Sequence, residues 1–373
     1  MPIKNIIIFL LLFSVIQVYS QNKSSTCWPS FRGDPQLTGT SSAVLPVSFK
    51  LLWTFKAGDE IKSSPIISNG LIYVGSADGF IYAVTISGQL KWKFNAVTAV
   101  EASPLLLDNT LFVGSLEGTL FALNAFTGKL KWKYATDGQI SGACNWVTGP
   151  DNKQKQILVG SYDFYLHCVN ALTGKPLWKF ESGNYINGAP AAWGKTAVFG
   201  GCDGFLHLIN TGSGKELRKT DIGTYIPASA AISGDKAFFG NYDGDFYCFD
   251  LKIKKIVWKT GGGGAFMASP AVSGNKVITG SQNHNVYCYD AVKGTLLWKF
   301  KSLGKVDASP VIAGSKVIIA SSDGRLHILD LDSGKETWSY EIGSALSATP
   351  AVVDNMIIVA AEDGKLYAFG TGK

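Results

Sequence analysis

The hydrophobic and polar positions of this chain repeat with a period close to forty residues. Strings such as "TGKLKWKY" recur, in which a turn-like "TGK" leads into a short stretch that carries a tryptophan. Successive anchor positions are 39, 40, 46, 40, 40, 40 and 40 residues apart, with Arg218 at the one position that lacks tryptophan. A fixed period of this length indicates a repeat architecture. The tryptophan anchors are Trp53, Trp92, Trp132, Trp178, Trp258, Trp298 and Trp338.

Each period predicts four short strands. Twelve residues after most anchors stands a proline that follows two small residues, as in "SSP" and "ASP". A run such as "GLIYVGS" comes next, then in most repeats an acidic residue and glycine, then a second alternating run such as "GFIYAV". Asp-Gly between alternating apolar runs favours a tight hairpin, because a type I′ turn needs positive φ at both central residues. The tryptophan stretch supplies the fourth strand.

Four strands in about forty residues are typical of one blade of a β-propeller. The stretch around Trp53 precedes every first strand, and the last repeat has no fourth strand after it. We therefore expect the Trp53 stretch to complete the blade built from residues 345–370, which closes the ring and removes exposed sheet edges. The sequence predicts an all-β fold, an eight-bladed β-propeller of four-stranded antiparallel blades over residues 49–373, preceded by a lead-in segment of residues 21–48.

The N-terminal stretch predicts export. Residues 1–20 combine Lys4 with an apolar run that is too short to span a bilayer and with a small-residue end, the pattern of a cleaved signal peptide. No cysteine directly follows this stretch, so we expect a soluble exported monomer without a lipid anchor. The net charge of +6 comes from scattered basic residues, which disfavours a nucleic-acid partner.

Three of the six cysteines occupy one position of the repeat, in "LHCVN", "FYCFD" and "VYCYD". Other repeats place alanine, leucine or isoleucine there, so Cys168, Cys248 and Cys288 are predicted to be buried core thiols rather than disulfide partners. The repeat leaves the disulfide state of the remaining three cysteines open. These are Cys27, Cys144 and Cys202.

Three histidines share a position that other repeats fill with tyrosine or phenylalanine, so His167, His207 and His327 are predicted to be packing rings rather than metal ligands. His284 and Phe164 instead replace the glycine of the hairpin turn. Either these two turns change type, or they display bulky side chains for a partner. The recurring turn aspartates are explained by the hairpin itself.

The strings "NAFTGKLKW" and "NALTGKPLW" resemble the tryptophan-docking motif of propellers of the pyrroloquinoline-quinone (PQQ) type. The resemblance implies that each anchor tryptophan stacks on the glycine turn of a neighbouring blade. The lead-in "CWPSFRGDPQLTG" is similar to a segment that precedes many exported propellers of this kind. The likeness covers essentially all of residues 49–373.

Two branches of this superfamily bear on function. Quinoprotein dehydrogenases hold the quinone and calcium at the channel mouth beside an adjacent cysteine pair, which this sequence lacks. The other branch is similar to the BamB family of outer-membrane protein assembly factors, which is compact and non-catalytic. The likeness to that branch implies a cofactor-free scaffold in the cell envelope that binds other envelope proteins. It also implies a periplasmic or extracellular location, peripheral to the outer membrane.

A PQQ- and calcium-dependent oxidoreductase and a small-ligand-binding propeller stay open as alternatives. The residues three places before the proline position should ring the channel mouth. Glu101, Asn187 and Asp307 offer oxygen ligands for calcium, and Lys62 offers a cation for a quinone carboxylate. The ring consists of Lys62, Glu101, Ser141, Asn187, Pro227, Met267, Asp307 and Ser347.

The mouth side of blades three to six is the predicted partner face, because the repeat rules are broken most often there. Exposed aromatic residues and methionine are frequent anchors of protein interfaces. The alternative is that some of these residues pack over the channel mouth. The run Gly261 to Gly264 lies in an inter-blade loop with no helix after it, so it does not predict a phosphate site. The candidate residues are Trp146, Phe164, Tyr185, Tyr225, Phe266, Met267 and His284.

Overall fold

The computed structural model describes residues 27–371, so the predicted signal peptide lies outside the described residues. Within these limits the chain forms strands and turns but no helix. The strands make eight blades of four antiparallel strands each, which confirms the predicted all-β propeller, and the short strand Thr40–Ser41 adds a parallel fifth strand to one blade beside Val311–Ala313. The same residues accordingly contain no helix long and apolar enough to cross a membrane.

The strands of the first four blades follow one another from the channel outwards. Blade 1 comprises Ile66–Ser68, Leu71–Gly75, Phe80–Thr85 and Leu90–Asn95. Blade 2 comprises Leu105–Leu107, Thr110–Gly114, Thr119–Asn124 and Leu130–Ala135. Blade 3 comprises Asn145–Thr148, Lys155–Gly160, Tyr165–Asn170 and Pro176–Glu181. Blade 4 comprises Ala191–Trp193, Thr196–Gly200, Phe205–Asn210 and Glu216–Asp221.

The last four blades repeat the pattern, except that blade 8 takes its outer strand from the start of the chain. Blade 5 comprises Ala231–Ser233, Lys236–Gly240, Asp245–Asp250 and Lys255–Gly261. Blade 6 comprises Ala271–Ser273, Lys276–Gly280, Asn285–Asp290 and Leu296–Lys301. Blade 7 comprises Val311–Ala313, Lys316–Ala320, Arg325–Asp330 and Glu336–Glu341. Blade 8 comprises Ala351–Val353, Met356–Ala360, Lys365–Gly370 and Lys50–Lys56.

Strand direction gives the disc two distinct faces. The second-to-third turns and the fourth-to-first loops lie together on what we call the mouth face. The first-to-second and third-to-fourth turns lie together on what we call the base face. The second and third strands are buried along their length, whereas the fourth strands alternate between exposed and half-buried residues. The hydrophobic core therefore lies between neighbouring blades.

The ring is continuous between blade 8 and blade 1. Lys50–Lys56 pairs antiparallel with Lys365–Gly370, and Trp53 lies opposite Ala368. At the channel, the Thr349 amide of blade 8 donates to the Ser64 hydroxyl of blade 1 at 2.9 Å. The same contact recurs between other blades, so the small residues of the first strand also form an inter-blade hydrogen-bond belt. Its further members are Ser64–Ser103, Ala189–Ser229, Ser229–Ser269 and Ser269–Ser309.

Six of the seven anchor tryptophans join their blade to the next one, whereas Trp338 faces blade 8, which has no third-to-fourth turn, and packs against Phe49 at 5.3 Å. Trp92 donates its Nε1 proton to the Ala125 carbonyl at 2.9 Å, and its ring lies against Gly128. A Cβ at Gly128 would stand 2.7 Å from the indole, so the turn needs glycine there. Where Arg218 replaces tryptophan, the matching turn of blade 5 has Lys254 in place of glycine.

The lead-in segment crosses the base end of the channel. Residues 28–44 run once around the axis and hydrogen-bond, in order, the innermost strands of blades 1 to 7 and the turn after the innermost strand of blade 8, either directly or, at blade 3, through the Asn145 side chain. We call these residues the plug. Its backbone contacts are Trp28–Ile67, Pro29–Leu106, Pro35–Ala192, Gln36–Ile232, Thr38–Val272, Gly39–Ile312 and Val44–Asn355.

A buried arginine lies at the centre of the plug. Arg32 is completely buried and donates from Nη2 to the Pro270 carbonyl at 2.8 Å. Burial lowers the pKa of Arg32 to about 9, against the opposing effect of Asp34. The guanidinium lies flat on Gly39, where any Cβ would overlap it. The plug is therefore fitted closely enough to close the channel at this end.

Candidate functional site

The open end of the channel is a cup on the mouth face, with a volume of about 180 Å³. All eight residues of the ring predicted from the repeat line this cup, which confirms their placement. Phe31 of the plug also lines the cup and forms its floor. The cup is therefore accessible from the mouth face alone.

The polar groups of the cup are unevenly distributed. Lys62 is held by Glu60 at 3.2 Å and Glu101 at 3.8 Å, so its charge is already balanced. Burial raises the pKa of the Asp307 carboxyl, although Gln282 and Lys305 oppose the shift. Three buried oxygen atoms in the cup have no hydrogen-bond partner within the described chain. They are Asn187 Oδ1, Asp307 Oδ1 and Ser347 Oγ.

The cup fits a quinone and calcium poorly. A quinone that carries carboxylates needs cationic partners, and Lys62 is already paired with carboxylates. Glu101 and Asp307, which could offer oxygen ligands to calcium, stand on blades 2 and 7, and the described residues contain no cluster of three metal-ligating side chains. The side chain of Phe31 fills the space below the cup. These residues supply no site into which both groups fit.

Exposed aromatic side chains lie beside the cup on blades 3 to 5. Tyr185 stacks on Tyr162 with ring centroids 4.6 Å apart and contacts Phe164 at 5.2 Å. Tyr225 stacks on Tyr242 at 4.5 Å. We call these five residues the aromatic arc. Cys202 of blade 4 is tied to the first group, since its amide donates to the Tyr185 carbonyl at 2.9 Å.

Phe164, Tyr185 and Tyr225 were predicted from the sequence, whereas the two stacking partners were not. Tyr162 and Tyr242 directly precede the turn aspartate in "SYDF" and "NYDG". Other repeats place small or polar residues at that position in most cases, such as Ala77 and Ser322. A comparison of the repeats could therefore have identified both residues, because each is a tyrosine at a turn position that the fold does not need to bury.

Phe164 and His284 keep the turn type that glycine gives to the other blades. Phe164 has φ +75° and His284 φ +67°, close to the +79° of Gly204. The interpretation that these turns change type was wrong. A bulky residue at positive φ is strained, and such strain concentrates at functional sites. His284 is tied to its own blade because its Nδ1 donates to the Leu303 carbonyl at 2.9 Å, whereas the Phe164 ring is exposed beside Tyr185.

Phe266 is a correction to the predicted partner face. Its side chain is fully buried and packs against Phe246 at 5.3 Å and Tyr287 at 6.0 Å. The equivalent residues of the other blades are buried aliphatic residues, such as Val306. The larger Phe266 ring needs more space than an aliphatic side chain, and a Cβ at Gly262 would overlap this ring. The glycine run therefore accommodates a core phenylalanine.

Trp146 was also misplaced by the prediction. It lies on the innermost strand of blade 3, and the Lys155 Nζ is 5.1 Å from its ring centroid. Lys155 is the last residue of the insertion 149–155, which lies on the base face. Trp146 therefore does not join the aromatic arc. Met267 lines the cup as predicted.

The buried histidines pack as predicted, and two of them also fix the turns of the mouth face. The His167 and His207 rings bond the aspartate of their own second-to-third turn, as Tyr82 and Tyr367 do, whereas the His327 ring contacts Glu336 through Nδ1 at 3.2 Å. The described residues hold no cluster that suits a metal ion. The pairs are His167–Asp163 at 2.9 Å, His207–Asp203 at 2.7 Å, Tyr82–Asp78 at 2.5 Å and Tyr367–Asp363 at 2.7 Å.

All six cysteines are free. Cys168, Cys248 and Cys288 are fully buried, which confirms that they are core thiols. Cys144 is buried, Cys202 is half-buried and Cys27 is exposed. Burial raises the pKa of the Cys144 thiol to about 12, so this thiol is protonated at neutral pH.

Comparisons with known proteins agree with this geometry. BamB from Moraxella catarrhalis is 18% identical, with a TM-score of 0.74 over 87% of this chain and 98% of its own. The quinohemoprotein alcohol dehydrogenase from Comamonas testosteroni is 13% identical, with a TM-score of 0.75 over 93% of this chain and 81% of its own. The computationally designed protein Ika8 is 19% identical, with a TM-score of 0.74 over 86% of this chain and 100% of its own. These likenesses show a shared fold.

The search of curated proteins gave no match. The family model described as outer membrane protein assembly factor BamB matches residues 81–299, 212–344 and 282–373. Together these stretches span most of the propeller and include the tryptophan-docking turns. The chain belongs to the PQQ-like propeller family of the outer membrane protein assembly factor BamB.

Proposed function

We propose that this protein is a non-enzymatic, exported β-propeller that acts as a protein-interaction scaffold in the cell envelope. The observation that carries the proposal is the aromatic arc, in which Phe164 is held at positive φ with its ring exposed beside Tyr185. Such strain has no benefit for folding, because glycine in the same turn would relieve it. Stacked, exposed tyrosines are frequent anchors of protein interfaces.

The surroundings of the arc support a protein partner. The turns and loops of the mouth face carry more carboxylates than basic side chains, which favours a partner with a basic surface. Export and an envelope location rest on the N-terminal stretch and on family membership. We take the propeller domain to begin near residue 49 and the lead-in to serve as its plug.

The cup supports the small-ligand alternative in one respect only. Its three unpartnered oxygens accept hydrogen bonds, so a molecule that donates several of them would suit the cup. The small volume restricts such a ligand to the size of a few non-hydrogen atoms or to one side chain of a partner.

The test is to change Phe164 to glycine, the residue that the repeat favours. The variant should fold at least as stably as the parent, with a gain of about 1 kcal/mol from the relieved strain. Its recovery of a specific envelope protein in cross-linking pull-downs should fall at least tenfold.

His284→Gly is the matched control, since it relieves the same strain on blade 6 outside the arc. This variant should recover the partner as the parent does. Equal recovery by Phe164→Gly and the parent would remove the arc as the partner site.

A further inference from the structure

The base face differs from the mouth face in charge. All blades except blade 6 carry a carboxylate in the second-to-third turn, on the mouth face. The third-to-fourth turns of the base face instead carry a lysine in blades 2 to 7, and lysines outnumber carboxylates in the turns of this face. These lysines are Lys129, Lys175, Lys215, Lys252, Lys254, Lys293 and Lys335.

Large apolar side chains stand at the tips of the same turns. Phe126, Leu172, Ile253 and Val292 are exposed on blades 2, 3, 5 and 6, and Leu172 is 86% exposed. The fold does not require them, because the position of Leu172 is held by Gly212 in blade 4. Each tip is flanked by a lysine in its own turn.

A groove on the base face lies between blades 2 and 3. It has a volume of about 460 Å³, and Leu172 stands at its edge. Three lysines line it, of which Lys153 and Lys155 come from the stretch that makes the blade 3 spacing longer than the others. Lys155 is paired with Asp108 at 2.8 Å, and the third lysine, Lys131, donates to the Thr110 hydroxyl at 2.6 Å. Lysines therefore exceed carboxylates in this groove.

We propose that the base face of blades 2 to 6 docks on an anionic lipid bilayer. Apolar tips that enter the interface, with lysines that meet lipid phosphates, are the two contributions that bind proteins peripherally. The groove between blades 2 and 3 receives the phosphate of one headgroup. A protein partner fits this face less well, because the apolar tips stand on separate blades with lysines between them, and the core of a protein interface is depleted of lysine.

This orientation leaves the cup and the aromatic arc directed away from the membrane. The plug would lie against the membrane, at the closed end of the channel. The inference is independent of the proposed scaffold function, since it uses none of the mouth-face residues.

The experiment is co-sedimentation of the purified protein with vesicles of phosphatidylcholine, alone or with roughly one third phosphatidylglycerol. We expect at least tenfold more binding to the anionic vesicles, and a decrease in binding as salt is raised, since salt screens the lysines. Leu172→Asp should reduce binding to anionic vesicles about tenfold. Lys153→Glu combined with Lys175→Glu should reduce it at least as much.

Leu303→Asp is the matched control, because Leu303 is a 77% exposed leucine on the mouth face. This variant should bind as the parent does, and the thermal midpoints of all variants should agree. Equal binding to neutral and anionic vesicles would overturn the proposal, and so would an equal loss in Leu172→Asp and Leu303→Asp.

Discussion

The two ends of the channel are built from the same repeat and behave differently. At the base end the plug hydrogen-bonds one blade after another and buries Arg32 on Gly39. At the mouth end the cup keeps three oxygens without partners, and Phe164 remains strained beside exposed tyrosines. The plug therefore locks the blades together at the base end, in addition to the inter-blade belt that surrounds the cup. The mouth end has no such segment across it and carries Phe164 and His284 where the repeat favours glycine.

Gly39→Ala should cause the largest loss of stability, because Gly39 lies in the plug that closes the base end. The new methyl group would overlap the Arg32 guanidinium at a backbone of φ +66°. Overpacking together with strain should lower the free energy of unfolding by roughly 3 kcal/mol. Chemical denaturation measures this loss.

Gly70→Ala is the control for backbone strain alone. Gly70 has φ +73° on the same face, but a Cβ there would meet open space. We expect a loss of about 1 kcal/mol. If both variants lost the same stability, the plug would not be the lock that the hydrogen bonds indicate.

His167 gives the mouth end a pH dependence. Burial lowers the pKa of His167, while Asp163 opposes the shift. The folded protein therefore binds fewer protons than the unfolded chain below about pH 6.5, so stability is present above that pH and decreases as the pH falls. The slope for one such group is at most about 1.4 kcal/mol per pH unit.

His167→Tyr should flatten this slope between pH 7 and pH 5. Tyrosine keeps a ring that bonds the turn aspartate, as Tyr82 does with Asp78 in blade 1. Unfolding free energies measured across this range test the prediction, and an unchanged slope would contradict it. The quantity to compare is the slope and not the free energy of unfolding at one pH, because the substitution also removes the contact of the Tyr134 hydroxyl with the His167 ring.

Arg218→Trp with Lys254→Gly should restore the tryptophan dock that is missing between blades 4 and 5 on the base face. The two substitutions depend on each other, because the indole needs a glycine turn like the one at Gly294, on which Trp258 lies. Each substitution alone should leave the free energy of unfolding nearly unchanged or lower it. A double-mutant cycle should show favourable coupling of about 1 kcal/mol, and additivity of the two changes would contradict the pairing.

Addition of PQQ and calcium should have the smallest effect. Lys62 is already paired, and the donors for calcium stand on distant blades, so we expect no change in the thermal midpoint. A ligand that bound the folded state would raise that midpoint in proportion to its concentration above Kd. A rise, or dye-linked alcohol oxidation, would favour the quinoprotein alternative and contradict the proposed scaffold.

The repeat register predicted more of the site than the individual residues did. It placed the eight ring residues that line the cup, since each occupies the same step between two strands. The error at Phe266 came from judging the residue by its type and by the glycines before it. The register places Val306 and Leu346 at this position, and both are buried. Compared in register, Phe266 would have been assigned to the core.

The plug and the stacking in the aromatic arc were not predictable in this way. The plug contacts join residues 28–44 to strands and turns as far away as residue 355, and they depend on backbone groups that every sequence possesses. The stacking of Tyr225 on Tyr242 depends on how a loop and a turn from different blades meet. Periodicity contains no information about either contact.

The sequence by itself determined the number of blades, the order of strands and the buried position of each repeat residue. It could do so because a local period, repeated eight times, admits one closed packing of its hydrophobic faces. The tertiary structure alone decided which end of the channel is closed and which departures from the repeat face solvent. Those outcomes depend on where a non-repeating segment finds hydrogen-bond partners and on how much space neighbouring blades leave, and both arise only once the ring has closed.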